Sequence, residues 1–454
     1  MTGDIMATED VAAVTKTAAP NGFLDRYFGL TANGTSVGTE ALAALTTFLT
    51  MAYIIFVNPS ILAKAGMDHG AVFVATCVAA AVCSIVMGLY ANYPLALAPG
   101  MGLNAFFAFT VVLTYKYSWQ QGLAAVFLSG VLFFILSVTG LREYIITSIP
   151  RNLKYAIGAG VGLFLGIIAL ENAQIITDHP VTLVTLGHLN VPAPLLCLLG
   201  FVLIVALHSR KLPGATLAGI LVVGIIGVPL GLSTFTGIVS MPPSIAPTLL
   251  QMDFSRVFEL SFIVVVFSIL MIDVFDNAGT LIAVTEKAGF VDENGNLPRM
   301  KQALVSDSFA AMFGASIGTS TTTSYIESAA GVEAGGRTGL TAVFVGILFL
   351  FALFFSPLAG MIPAYASAAA LLFVACMMAS MMAELDWNDI TESAPAVIAA
   401  ISMPLTYSIA TGIGLGFITY VLIKLIAGRY KDVSWAVAAL AVIFAVKLIL
   451  VPAG

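Results

Sequence analysis

The feature that most restricts the fold of this chain is a series of long apolar runs separated by short clusters of charge. Hydrophobic residues make up 59% of the 454 residues and charged residues only 9%, whereas about a quarter of the residues in a soluble domain are charged. The charged residues are bunched at 141–154, 209–213, 286–301 and 424–432. A water-soluble surface cannot be made from this composition. The sequence therefore predicts a polytopic, all-α membrane protein.

The lengths of the apolar runs predict how many segments cross the membrane. A bilayer core of about 30 Å needs about 20 apolar residues per helix, which gives roughly fourteen spans here. We expect them near 41–62, 70–90, 94–113, 121–140, 153–172, 193–208, 214–232, 260–284, 302–316, 318–333, 338–356, 364–383, 393–408 and 410–427. The last apolar stretch, 433–451, would be an interfacial helix or one more span.

The distribution of Lys and Arg predicts the orientation. These residues cluster in alternate loops, such as 141–154 and 286–301, whereas 173–192 holds none. Because positively charged loops stay in the cytoplasm, we expect a cytoplasmic N-terminal segment at 1–40 and an extracytoplasmic loop at 233–259. The protein would be a multi-pass component of the cell membrane.

Charge and motif content argue against several function classes. The net charge of -6 gives no basic surface for nucleic acid. The four cysteines lie within apolar runs and the four histidines lack metal-ligand spacing, so we expect neither a disulfide framework nor a metal site. The sequence contains no GxxxxGK[ST] motif for ATP. Transport would then be facilitated or driven by an ion gradient, without a cofactor, and the protein would not be an enzyme.

Two segments are unusually polar or interrupted for lipid-facing helices. YPLALAPGMGLNAFFAF (93–109) contains Pro and Gly residues that interrupt a helix, and GTSTTTSYIESAAGV (318–332) is rich in Ser and Thr. Each begins like a strand, ends in a helical pattern and stands third in a series of seven spans. Such matched segments are tolerated only where they line a cavity. The sequence therefore predicts two inverted repeats, 41–232 and 260–427, with a solute site between them and a C-terminal segment at 428–454.

Carboxylates inside apolar spans are candidates for function, because burying a charge is costly. In the span 261–284, a helix would place Asp273 on the same face as Asp276 and Asn277. Thr280 would follow Asp276 one turn later. This polar stripe lies on an otherwise apolar helix. For Asp276, the alternative is that it only bonds backbone groups of the interrupted segments.

The two interrupted segments contain further candidates. Glu327 follows the strand-like start of the second segment, where the helix dipole favours a negative group. Asn104, in the first segment, offers two donors and one acceptor beside the ring of Phe106. An aromatic residue at helical spacing is more often packing than a stacking surface, and this alternative applies to Phe106. Asp307 and Glu333 lie near predicted span ends and are better explained as capping or interfacial groups.

Four motifs, in order, resemble those of a known family. They are TTFLTMAYIIFVNPSIL (46–62), LAPGMGLNAFFAF (97–109), DVFDNAGTLIAV (273–284) and GTSTTTSYIESAAGV followed by GGRTGLTAV (318–343). Over about 22–450, the chain is similar to nucleobase permeases of the guanine/hypoxanthine/adenine branch, the azaguanine-type branch, of the nucleobase–cation symporter group.

The resemblance implies a particular architecture. The family's fold has two inverted seven-span repeats, with short strands in spans 3 and 10. A core domain would comprise the spans in 41–140 and 260–356, and a gate domain those in 153–232 and 364–427. The substrate would lie between the strands of spans 3 and 10.

The resemblance also implies roles for individual residues. By position, Asp273 and Glu327 match the acidic residues that bind the base in spans 8 and 10. The other positions that match the family's binding motifs are Gly102, Asn104, Asn277, Thr323 and Tyr325. Distant uracil-type relatives carry a histidine where Asn277 stands, so a carboxylate would have to carry the proton here.

Physical chemistry then narrows the substrate. Guanine and hypoxanthine present N1–H, which an ionised Asp273 or Glu327 can accept, whereas adenine presents an acceptor there. We expect proton-coupled uptake of purine nucleobases, with hypoxanthine and guanine favoured and adenine accepted through a protonated acid or Asn104. A proton would neutralise Asp273, Asp276 or Glu327 before the core domain moves against the gate domain. Relatives imply a homodimer in the lipid membrane.

Two alternatives remain open on the sequence alone. An anion exchanger or channel of the same fold would need a cationic or neutral site instead of an acidic one. An intramembrane aspartyl protease would need two aspartates facing each other from separate helices. Asp273 and Asp276 stand on one predicted helix.

Overall fold

The computed structural model describes residues 22–139, 148–290 and 298–450, and within this part of the chain nearly all regular structure is helical. The elements of the first half are α1 (Phe23–Phe28), α2 (Val37–Met51), α3 (Ile54–Lys64), α4 (His69–Val86, continued by a π-helical segment Met87–Ala91), β1 (Leu97–Pro99), α5 (Met101–Ala105, continued by a π-helical segment Phe106–Thr114), α6 (Trp119–Thr139), α7 (Arg151–Asn172), β2 (Ile176–His179), β3 (Leu183–Leu186), α8 (Pro192–Ser209) and α9 (Ala215–Gly227).

The second half begins with a long helix that crosses the molecule next to both interrupted segments. Its elements are α10 (Leu260–Lys287), α11 (Met300–Ile317), β4 (Thr322–Ser324), α12 (Ser328–Glu333), α13 (Gly339–Ala352), a 3-10 turn (Leu353–Phe355), α14 (Ser356–Met361), α15 (Ala364–Ala379, continued by a 3-10 segment Ser380–Glu384), α16 (Ile390–Leu405), α17 (Ile409–Ile426), a 3-10 turn (Tyr430–Asp432) and α18 (Trp435–Leu450).

The helix lengths confirm a polytopic helical membrane protein. Within the described residues, eight helices are long and apolar enough to cross a bilayer, and shorter apolar helices accompany them. The segment expected as a span near 318–333 is a strand followed by a helix of six residues. Six helical residues rise only about 9 Å, so this helix is too short to cross a bilayer. The exact number of fourteen spans stays a prediction.

The two interrupted segments meet each other through their strands. β1 pairs with β4 antiparallel, with Leu97 opposite Ser324 and Pro99 opposite Thr322. The ladder continues at both ends, where Gly100 N donates to Thr321 O at 2.9 Å and Tyr325 N donates to Ala96 O at 2.9 Å. Each strand is followed by a helix, as the sequence predicts. The pairing joins residues more than 220 positions apart, and it holds the two interrupted segments against each other.

Local sequence explains why the chain leaves the helix before β4. Gly318 ends α11 with φ of 93°, a left-handed conformation that Gly adopts without steric cost. The following threonines are β-branched and favour extended backbone. The sharp turn and the β-branched run therefore replace a helix with a short strand.

Two polar side chains from neighbouring helices support the strands. Leu97 N donates to Ser84 Oγ at 2.9 Å, and Ser84 Oγ donates back to Leu97 O at 3.2 Å. On the other strand, Ser324 N and Ser324 Oγ donate to Asp307 Oδ1 at 3.1 and 3.0 Å. Strand groups in the hydrocarbon region need such partners, because water is not available there.

Asp307 corrects one detail of the sequence prediction. It lies in the middle of α11 and is buried, so it neither caps a helix nor lies at an interface. Its role is still structural, because its carboxylate accepts the hydrogen bonds of Ser324 on β4. Periodicity could not predict this, since the partner lies on a strand that follows a turn.

Candidate functional site

The candidate site is the place where the paired strands face α10. We call it the strand crossover, and it comprises β1, β4, the starts of α5 and α12, and the facing part of α10. A Cβ added to Gly100 would lie 2.8 Å from Thr323 Cγ2 and 3.8 Å from Asp276 Oδ2. These short distances show that β1, β4 and α10 converge at one point, as the sequence predicts.

Glu327 lies at the start of α12 and is held by a tyrosine. It is the residue that precedes the first turn of α12, the position expected from the sequence. Tyr53 Oη donates to Glu327 Oε1 at 2.6 Å. Tyr53 is 1% exposed and lies in the break between α2 and α3, directly before the first residue of α3. Because a carboxylate can accept about four hydrogen bonds, the bond from Tyr53 orients Glu327 and leaves it able to accept others.

The polar stripe of α10 faces the crossover. Asp273 and Asn277 are buried, and Asp276 is partly exposed. Asp276 lies close enough to Glu327 for the two carboxylates to interact electrostatically. Both amide atoms of the Asn277 side chain are buried and lack a hydrogen-bond partner among the described residues. The stripe thus presents the Asp276 carboxyl group and a complete amide group to the crossover.

β4 contributes a hydroxyl and an aromatic ring. Thr323 Oγ1 is buried and has no partner within the part of the chain that the structure describes. Tyr325 Oη donates to Pro99 O at 2.5 Å, across the strand pair. Tyr325 is therefore engaged in holding β1 against β4, while Thr323 keeps its hydroxyl available.

The first interrupted segment places the remaining predicted residues. Asn104 is buried, and Ser320 Oγ donates to its Oδ1. Its Nδ2 has no acceptor among the described residues. A Cβ added to Gly102 would lie 2.6 Å from a methyl of Val161 on α7, so Gly102 allows α5 to approach α7 closely. Phe106 is fully buried in the hydrophobic core, and its use as a stacking surface stays a prediction.

The crossover contains acidic side chains without a basic partner among the described residues. Within the described ranges, no Lys or Arg forms an ion pair with Asp276 or Glu327. A buried carboxylate without a cation needs hydrogen-bond donors or a proton. The site is therefore suited to a ligand that donates N–H groups, and less suited to an inorganic anion.

Sequence reasoning missed two polar residues on α3 and beside it. Tyr53 lies in an apolar run, where a tyrosine is indistinguishable from packing. Asn58 Nδ2 donates to Thr76 Oγ1 at 2.7 Å and to Thr319 Oγ1 at 2.9 Å, which joins α3 to α4 and to the start of the second interrupted segment. An intramembrane amide is a polar signal that could have been used.

A second cluster of charges lies outside the crossover. Lys424 is fully buried, and its Nζ lies 2.7 Å from Glu392 Oε1. Hydrogen bonds from Thr391 and Arg429 hold the pKa of Asp389 below its usual value. This cluster ties the start of α16 to the end of α17, so we assign it a structural role.

Comparisons with known proteins agree with this picture. The sequence profile of the Permease family matches residues 38–415. The adenine permease AdeP of Escherichia coli is 49% identical, over 95% of this chain and 97% of that permease. The guanine/hypoxanthine permease PbuG of Bacillus subtilis is 44% identical, over 92% of this chain and 98% of that permease.

A solved structure has the same fold. The transmembrane domain of the cyanobacterial bicarbonate transporter BicA matches with a TM-score of 0.63, over 83% of this chain and 96% of that domain. Its sequence identity is only 16%, so the match supports the architecture alone.

Proposed function

The chain belongs to the Permease family, and we propose that it takes up purine nucleobases together with protons. Membership makes it a multi-pass membrane transporter and not an enzyme, in agreement with its apolar helices. The observation that carries the proposal is the strand crossover, where Tyr53 holds Glu327 and the Asp276 carboxylate of α10 lies within electrostatic reach of it. The protease alternative is not supported, because Asp273 and Asp276 share one helix.

The hydrogen-bonding groups of the site favour hypoxanthine and guanine as substrates. Both bases carry N1–H, and a carboxylate is the strongest acceptor for such a donor. Glu327 is oriented by Tyr53 and interacts electrostatically with the partly exposed Asp276. The unpaired amide of Asn277 can donate to O6 of these bases.

Adenine is the second candidate, and two observations favour it. The adenine permease AdeP is 49% identical to this chain, whereas the guanine/hypoxanthine permease PbuG is 44% identical. An asparagine amide can also bond adenine in a bidentate manner, donating to a ring nitrogen and accepting from the N6 amino group. Asn277 has both amide atoms free for this purpose among the described residues.

The pair of carboxylates supports the proposal of proton coupling. Two carboxylates that share a site favour uptake of a proton by one of them. We propose that Asp273, Asp276 or Glu327 carries that proton while the base is bound. The core domain, 41–140 with 260–356, would then move against the gate domain, 153–232 with 364–427, as the resemblance implies.

The orientation and assembly complete the proposal. Lys and Arg cluster in alternate loops of the sequence, such as 141–154 and 286–301. We propose that these loops are cytoplasmic and that the N-terminus lies on the same side of the membrane. We also propose residence in the cell membrane and a homodimer, as the family resemblance implies.

Uptake of radiolabelled hypoxanthine and adenine into cells that lack their own purine permeases tests the proposal. We expect saturable uptake that a protonophore abolishes. Competition with unlabelled bases then shows which hydrogen-bonding edge the site recognises best. The competitors are guanine, hypoxanthine, adenine, xanthine and uracil. Cells with an empty vector provide the background. Absence of uptake for every labelled purine, with the protein present in the membrane, would contradict the proposal.

A further inference from the structure

A cavity between α10 and α18 is not part of the strand crossover. Its volume is about 310 Å³. The side chains that line it are Leu260, Ile263, Val264, Phe267 and Ser268 from α10, and Val442, Ile443, Phe444, Val446 and Lys447 from α18. The walls are therefore apolar apart from one hydroxyl and one ammonium group.

The ammonium group of Lys447 is the unusual feature of this cavity. The Lys447 side chain is 3% exposed. Its Nζ has no hydrogen-bond partner among residues 22–139, 148–290 and 298–450, and its one aromatic contact is the Phe444 ring at 6.0 Å. Ser268 Oγ donates to Val264 O on its own helix. Among the described residues, the cavity therefore supplies no negative partner for Lys447. A buried cation without an anion is costly, so a bound anion would stabilise it.

The position of the cavity indicates the kind of molecule that supplies the anion. α18 packs against α17 and α10, with Phe444 between Phe417 and Phe267 at ring distances of 6.2 and 6.0 Å. Val442 and Val446, which also line the cavity, are exposed, so the cavity opens at the outer surface of α18. In a membrane protein such an exposed apolar face contacts lipid tails. An acidic phospholipid combines an anionic headgroup for Lys447 with an acyl chain for this apolar surface.

We propose that the cavity binds an acidic phospholipid, with its phosphate on Lys447 and part of an acyl chain between α10 and α18. The apolar walls suit the chain, and Lys447 provides the charge complementarity. This inference does not depend on the identity of the transported solute.

Occupation of this site would affect the transport cycle. α10 carries Asp273, Asp276 and Asn277 in the proposed core domain. α18 is attached to α17, which belongs to the proposed gate domain. A lipid between them contacts both moving parts, so it should change the rate of transport as well as the stability of the protein.

Lipid binding to the purified full-length protein tests the proposal. Native mass spectrometry and thermal unfolding are followed while dioleoylphosphatidylglycerol or dioleoylphosphatidylcholine is added. One lysine at a membrane surface contributes about 1 kcal/mol to the binding of acidic lipid, which is about five-fold in affinity. We expect the wild type to bind the acidic lipid about five-fold more tightly than the neutral one.

Matched variants separate this site from general charge effects. Lys447→Gln should lose the preference for the acidic lipid, and Lys447→Arg should keep it. Lys431→Gln removes an exposed charge in the 3-10 turn before α18 and should leave the preference unchanged. An undiminished preference in Lys447→Gln, or none in the wild type, would overturn the proposal. So would a change in oligomeric mass in Lys447→Gln without a change in bound lipid, because a second copy would then cover the cavity.

Discussion

At the scale of single residues, the hydrogen bond from Tyr53 to Glu327 is the contact that prepares the crossover for a ligand. Tyr53→Phe removes this donor and keeps the ring. A hydrogen bond to a charged group contributes about 1.5–3 kcal/mol, so we expect the apparent Km for the purine to rise about ten-fold or more. Kinetics of uptake at matched surface expression measure this effect.

Tyr117→Phe is the matched control for Tyr53→Phe. Tyr117 is also buried, and its Oη donates to Ser261 Oγ at 2.8 Å, near the start of α10 and away from the crossover. We expect its Km to remain that of the wild type. Equal Km values for Tyr53→Phe and wild type would show that the tyrosine does not position Glu327.

The residues of the crossover differ in how far the sequence could predict them. Glu327 was predicted at a helix start because a carboxylate in an apolar segment is conspicuous, and the structure places it there. Tyr53 was missed because its partner lies 274 positions away and nothing in its own apolar run distinguishes it. Asp307 was misplaced because its bond to Ser324 depends on the turn at Gly318.

At the scale of elements, two contacts join the proposed core domain to the proposed gate domain at residues that the proposed orientation places on the outer side of the membrane. Thr110 Oγ1 donates to Tyr407 O at 2.9 Å. Lys64 Nζ donates to the side chain of Asn172. Tyr407 itself has φ of 49°, an uncommon conformation for a residue other than Gly, and its Oη donates to Glu171 Oε2 at 2.8 Å. We expect these contacts to hold the two proposed domains together on that side.

Loosening this closure should favour the conformation that is open on the outside. We expect Thr110→Val to increase opening about five-fold, since one neutral hydrogen bond contributes about 1 kcal/mol. A cysteine placed at the buried Thr323 on β4, in a Cys376→Ser background, reports opening through its labelling by a membrane-impermeant maleimide added from outside. Thr114→Val is the control, because Thr114 Oγ1 bonds Phe109 O within its own segment.

The labelling experiment has a clear contrary result. Equal labelling rates for Thr110→Val, Thr114→Val and the otherwise wild-type chain would show that the contact to Tyr407 does not hold the two parts together. The sequence could not predict this contact, because it depends on how the π-helical continuation of α5 approaches the loop between α16 and α17.

At the scale of the whole molecule, the sequence predicted the architecture because the pattern of apolar runs and interruptions repeats along the chain. Apolar runs of bilayer length predicted the helices, and the matched interruptions at 93–109 and 318–332 predicted two strands that the structure pairs. Corresponding elements then recur in the same order in both halves. The packing of α18 against α10 and α17 could not be predicted, because an apolar run alone does not choose its neighbours.

The central claim is that Glu327 at the strand crossover binds the purine, and equilibrium binding tests it most directly. Radiolabelled hypoxanthine and adenine are titrated against purified wild type, Glu327→Gln and the exposed control Glu333→Gln on the same short helix. We predict that Glu327→Gln loses about 10-fold to 100-fold in affinity for the preferred base, the equivalent of a hydrogen bond to a charged group, while Glu333→Gln binds as the wild type does. Wild-type affinity in a folded Glu327→Gln variant would contradict the account.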